Sequence, residues 1–109
     1  MSYDIIAVPK FRKELKRLVN KYPSLKKEYL QLLNILEENP EHGIPIGHNC
    51  YKIRLAISSK GKGKSGGARL ITNVFVSETT VYLLSNYEKS EKENLSKKEL
   101  NELLKRLFE

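Results

Sequence analysis

Ile53, Leu55 and Ile57 alternate with Lys52, Arg54 and Ala56, a period of two that predicts a strand with one buried face. Lys52 and Arg54 fall together on the other face. A second apolar run, ARLITNVFV, begins at Ala68 with Arg69 in its first turn of the pleat, and a third, Thr80 to Tyr87, follows a turn at Ser77 and Glu78. Near the start, Tyr3, Ile5 and Ala7 alternate with Asp4, Ile6 and Val8 in a short strand that ends at Pro9. Helical spacing then takes over: Phe11, Leu15, Leu18 and Val19 share one face through about Asn20, and Arg12, Lys13, Lys16 and Arg17 occupy the opposite one. Tyr22 and Pro23 break that pattern. Ser24 is the expected N-cap of a second helix whose stripe is Leu25, Tyr29, Leu32, Leu33 and Leu36, ended by Asn39 and Pro40. The segment from Glu41 to Asn49, with Gly43, Pro45 and Gly47, reads as a loop. At the other end, Ser96 with Glu99 three residues on is a capping box that opens a helix with Leu100, Leu103, Leu104 and Leu107 on its apolar face.

The predicted order is β-α-α-β-β-β-α. It describes an α+β domain over 1–109: a small, mostly antiparallel four-stranded sheet, two N-terminal helices and a C-terminal helix packed on one side, the other side open. A chain of 109 residues with 39% hydrophobic content suits one core and one domain.

Charge adds a direction. Lys and Arg number 20 against 13 Asp and Glu, a formal charge of +7 that favours nucleic acid or an acidic protein partner. The start, MSYDIIAVPK, lacks the apolar stretch of a signal peptide, and no run of about 18 apolar residues predicts a membrane span. A single cysteine, Cys50, offers no intrachain disulfide and fits the cytoplasm. No spacing of His, Cys, Asp and Glu suggests a metal, and the glycines around residue 63 match neither a phosphate-binding loop nor a dinucleotide fingerprint, so no cofactor is expected.

The chemistry-bearing stretch is YKIRLAISSKGKGKSGGAR. Between its two strands Lys60, Lys62 and Lys64 are spaced by glycine, a composition that must stay solvated or meet a partner. Lysines at sheet edges often serve solubility alone. Here, however, Lys52 and Arg54 lie inside a strand, and a hairpin would bring Arg69 back beside them, because neighbouring strands run about 5 Å apart.

These residues, with NPEHGIPI before YKIR, then GGAR, then YEKSE ahead of the closing helix, resemble the RelE/ParE superfamily of bacterial toxins, in particular its RelE and HigB-like branch. The resemblance covers nearly the whole chain. It implies a RelE-like fold and the toxin of a type II toxin-antitoxin pair: an mRNA interferase that cleaves mRNA in the ribosomal A site. It also implies a cognate antitoxin as partner, with operator DNA bound only through the antitoxin complex. A ParE-like gyrase inhibitor and a non-toxic, antitoxin-binding relative are the alternatives on the same fold.

Metal-free RNA cleavage needs cations around a phosphorus that gathers negative charge. Arg69, with Arg54 beside it, is the expected phosphate clamp, since guanidinium matches two phosphate oxygens and stays charged. Lys52 is a candidate base, because like-charge neighbours favour loss of its proton. Lys89 is a second candidate for base, acid or phosphate contact, and Tyr87 for stacking or proton donation. Lys60, Lys62 and Lys64 are expected to hold RNA phosphates without reading sequence. His42 and His48 form an alternative acid–base pair in the loop, though loop histidines are commonly just solvated.

Overall fold

The computed structural model describes residues 2–57, 66–92 and 94–108. Among them the chain runs β1 (Asp4–Ala7), α1 (Pro9–Lys21), α2 (Leu25–Glu38), β2 (Ile44–Gly47), β3 (Cys50–Leu55), β4 (Ala68–Phe75), β5 (Thr80–Glu88) and α3 (Lys97–Phe108). The strands form one five-stranded sheet in the order β1-β5-β4-β3-β2. β1 is parallel to β5 and every other pairing is antiparallel.

The extra strand is β2, in the segment whose glycines and proline predict a loop. Pro45 is tolerated because β2 lies at the sheet edge, where a missing ladder N–H goes unused. His48 and Asn49, with φ of 54° and 60°, make a two-residue left-handed turn that returns the chain into β3 at Cys50. Gly43, at φ 113°, lets the chain enter β2: a Cβ there would stand 2.7 Å from the Lys52 carbonyl oxygen.

One sheet face carries Ile53, Leu55, Leu70, Val74, Val81 and Leu83, and α1 and α2 cover it with Phe11, Leu18, Leu25, Leu32 and Leu36. Burying each such side chain contributes about 1.5–3 kcal/mol before entropy is counted, which makes this cluster the main source of stability. Ser24 does not cap α2 as expected. Its own backbone is already helical (φ −62°, ψ −21°) rather than extended as a capping residue's is, and its hydroxyl makes no capping hydrogen bond.

The other face is not left open. Cys50, Ile71, Leu84 and Tyr87 pack there against Leu100 and Leu103 of α3. A helical stripe reveals that α3 buries one side, but not which side of the sheet receives it, and here it is the side opposite α1 and α2. Its capping box forms as expected: the Glu99 N–H donates to Ser96 Oγ at 3.1 Å, and the Ser96 N–H donates to Glu99 Oε1 at 3.2 Å.

A bulge in β5 decides what shares this second face. The β4–β5 register passes from Ile71↔Ser85 to Thr72↔Leu83, so Leu84 is an extra residue with no partner of its own. Strict alternation would place Tyr87 with Val81 and Leu83 under α1 and α2. The inserted residue shifts the parity, and Tyr87 joins Leu84 on the α3 side.

Candidate functional site

The β3–β4 hairpin sets Arg54 directly opposite Arg69, and the β4–β5 pairing sets Arg69 opposite Tyr87. Arg54, Arg69 and Tyr87 therefore form one row across three strands. Two residues along, about 7 Å away, Lys52 pairs with Ile71 on the same face. Lys89 continues the ladder beyond β5, its N–H donating to the carbonyl of Gly67 at 3.0 Å, two residues before Tyr87's partner Arg69.

The row grades from water to core. Arg54 is exposed, whereas Arg69 retains 3% of its accessible surface and Tyr87 6%. Burial pushes the Arg69 pKa down, and the Arg54 charge beside it pushes the same way, with Tyr87 opposing. Arg69 Nη1 donates to the Ala68 carbonyl at 3.1 Å, which fixes one terminal nitrogen of the guanidinium. Two guanidiniums on adjacent strands repel each other, and an anion between them would turn that repulsion into attraction.

Burial raises the Tyr87 pKa most; Glu99 adds to the rise, and Arg69 and the Leu95 amide work against it. The Leu95 amide does not reach hydrogen-bonding geometry, and the Tyr87 hydroxyl is enclosed without a hydrogen bond among the described residues. The Lys92 ammonium sits 5.7 Å from the Tyr87 ring centroid and is ion-paired with Glu99. Lys92 gives no warning in the sequence, since it lies seven residues from Glu99 and belongs to no helical or strand period. Asn94 is a second residue that pattern reading misses: its Oδ1 accepts from Lys52 Nζ at 3.2 Å.

The segment after β5 is tied down on its far side too. Glu88, buried, is ion-paired with Lys21 at 3.2 Å and accepts from the Tyr22 hydroxyl at 2.9 Å and from Ser90 at 2.8 Å. Arg17 reaches Glu91 at 2.8 Å. Contacts to the end of α1 thus fix where Tyr87 and Lys89 emerge.

Lys60, Lys62 and Lys64 lie outside the described residues. The two histidines are not brought together as an acid–base pair: His42 precedes β2 and His48 follows it, so the strand separates them. His48 instead serves the turn, its carbonyl accepting from Asn73 Nδ2 at 3.1 Å. Cys50 is buried, burial raising its thiol pKa despite the Asn73 amide 3.5 Å away. Among the described residues no three His, Cys, Asp or Glu side chains gather as a metal site.

The molecule is thus a small α+β domain whose mixed sheet carries the arginine row, exposed at Arg54 and buried at Arg69, on its α3 face and a helix pair on its back. The model of the RelE family, described as the RelE toxin of the RelE/RelB toxin-antitoxin system, matches residues 12–107. The chain belongs to the RelE toxin family. A doubly substituted form of E. coli toxin RelE in the free state is similar at TM-score 0.64 and 22% identity, covering 99% of this chain and 100% of that one. A RelE mutant of E. coli in complex with an antitoxin RelBc peptide is similar at TM-score 0.56 and 27% identity, covering 89% and 98%. The intact E. coli RelBE toxin-antitoxin complex matches at TM-score 0.55 and 24% identity over 80% and 96%. No curated protein matches the chain.

Proposed function

We propose that this toxin is a metal-independent endoribonuclease that cuts mRNA in the A site of the ribosome and is silenced by a cognate antitoxin. The observation that carries the reading is the cross-strand row Arg54–Arg69–Tyr87 with Lys52 two residues away on the same face. In metal-free cleavage a ribose 2′-hydroxyl attacks the adjacent phosphorus. Its proton leaves to a base, the P–O5′ bond breaks, and the departing oxygen takes up a proton. Charge on the non-bridging oxygens peaks between those events. Arg69, held through Nη1 and desolvated, offers its guanidinium charge to those oxygens, and Arg54 supplies a second guanidinium from the water side. Lys52 and Lys89 flank the row as candidates for the proton transfers. Tyr87 closes the row on its buried side.

The antitoxin part rests on family membership and on the RelBc and RelBE complexes of the similar E. coli toxin. The net charge of +7 suits an acidic partner as well as RNA.

The test is a pair of reactions with purified toxin and mRNA, with and without programmed ribosomes, new 5′ ends being mapped by primer extension. Cuts that require ribosomes are the expected result. Intact mRNA in both tubes, with stalled DNA cleavage in a gyrase assay, would overturn the reading in favour of gyrase inhibition.

A further inference from the structure

β5 outlasts its neighbour. β1 pairs with it only as far as Leu83, and once the Val8 N–H has donated to the Leu83 carbonyl at 3.1 Å the chain turns into α1 at Pro9. The rest of β5, Leu84 to Glu88, holds both the bulge and Tyr87, and along it α1 provides the hydrogen-bond partners that a strand would. Glu14 is the main one. Its Oε1 accepts from the Asn86 backbone N–H at 3.3 Å and from the Ser85 hydroxyl at 3.0 Å, and its Oε2 from the Lys10 ammonium at 2.7 Å. Lys10 also reaches the Ser85 hydroxyl at 3.3 Å, and Asn86 Nδ2 donates to the Phe11 carbonyl at 3.1 Å. An i,i+4 pair such as Lys10–Glu14 contributes little by itself. The bonds to β5 set this one apart, because Ser85 and Asn86 are buried and directly follow the extra residue Leu84.

What the bulge protects is the arginine row. If Leu84 entered the ladder opposite Ile71, each later residue of β5 would move one place along β4 and change face. Asn86 would then stand opposite Arg69, and the Glu88 carboxylate would follow two residues on, on the same face. Tyr87 would leave α3. A carboxylate beside the two guanidiniums would pair with them and compete with a phosphate. In that register the Asn86 N–H also loses its acceptor, and a buried amide left unpaired is costly. We propose that Glu14 is a positioning residue: from the opposite side of the sheet it holds the β5 bulge in register, keeping Tyr87 beside Arg69 and the Glu88 carboxylate away from the row.

The effect on cleavage rests on the ribonuclease reading, whereas the effect on register does not, and two measurements separate them. Glu14→Gln keeps a side-chain oxygen for Asn86 and Ser85; Glu14→Leu fills the space without one. The first measurement needs no RNA: NMR of the three proteins, reading NOEs from the Tyr87 ring to the leucine methyls of α3 and hydrogen exchange at the Asn86 amide. Both are expected to persist in Glu14→Gln. In Glu14→Leu the NOEs are expected to weaken or vanish and Asn86 exchange to quicken roughly tenfold or more. Glu14→Ala is read in the same way where Glu14→Leu does not fold. Unchanged NOEs and exchange in the folded variant without an acceptor overturn the assignment, whether or not the toxin cuts RNA. The second is steady-state cleavage on programmed ribosomes. Glu14→Leu is expected to lose roughly tenfold or more in kcat with KM little changed, and Glu14→Gln to stay near the parent. Equal losses in both variants, or a raised KM with kcat intact, overturn the link from Glu14 to the row. A parent that does not cut at all overturns the ribonuclease reading instead, and the NMR result then decides the register assignment alone.

Discussion

Arg69 is the residue on which the site turns, and its environment separates catalytic from structural roles. Burial and Arg54 both disfavour its charged form, while the Nη1 hydrogen bond to the Ala68 carbonyl holds the side chain in place. Arg69→Met keeps the length of the side chain and removes the charge. It is expected to lower ribosome-dependent cleavage by roughly 100-fold or more while the variant stays folded at the assay temperature. Calorimetry beside the cleavage assay checks both halves, and a variant that loses activity by unfolding would sink the assignment. Two other buried groups contribute, as half-buried Tyr29 does, to the alkaline limit of the fold. Cys50 and Tyr87 both hold their protons more tightly when buried than their ordinary values of 9.0 and 10.0. The folded chain therefore binds more protons than the unfolded one at high pH. The stability this provides is complete below pH 9, and it is lost as pH rises through the unfolded values and beyond. The melting temperature is expected to fall steadily above that point, and Cys50→Ala is expected to flatten the beginning of the decline; identical alkaline profiles would remove the thiol from the account.

Elements differ in how far their residues announce them. The capping box at Ser96 and Glu99 was legible because its chemistry is local, and the structure forms both of its hydrogen bonds. Ser96→Ala is expected to cost about 1 kcal/mol by chemical denaturation, with the loss confined to fraying at α3. The row Lys52, Arg54 and Arg69 was legible too, since alternation and a hairpin suffice to place those three together. β2 was not, because Pro45 and two glycines speak against a strand everywhere except at an edge, and edge position is a property of the sheet. Tyr87 reaches the row only through the bulge at Leu84, a register event with no mark in the local pattern. Gly67 was read as loop composition, yet a Cβ there would collide with the Leu55 carbonyl oxygen across the end of the β3–β4 pair. Gly67→Ala is expected to force those strands apart next to Arg69, costing roughly 1–3 kcal/mol and lowering cleavage together with stability. A Gly67→Ala variant as stable as the parent would show that the backbone there yields easily.

At the scale of the molecule, the two faces of the sheet differ in kind: α1 and α2 cover one with an apolar cluster, and the other joins a smaller apolar seam under α3 to the cations Lys52, Arg54 and Arg69. A domain of +7 must meet a polyanion partly through counterion release, so its affinity for single-stranded RNA falls with salt by about 0.7 logarithmic units per phosphate contact. Lys60, Lys62 and Lys64 add three charges next to Arg69 in the sequence, on the chain that joins β3 to β4. If each meets a phosphate, replacing all three by glutamine lowers the magnitude of the slope of log K against log salt by about 2, without altering which sites are cut. Arg69→Met, by contrast, is expected to remove one contact from that slope and nearly all of the cleavage. The comparison uses the same binding titrations at four salt concentrations. If the lysine triple variant changed the cut sites, the run would be reading bases rather than holding the phosphate backbone alone.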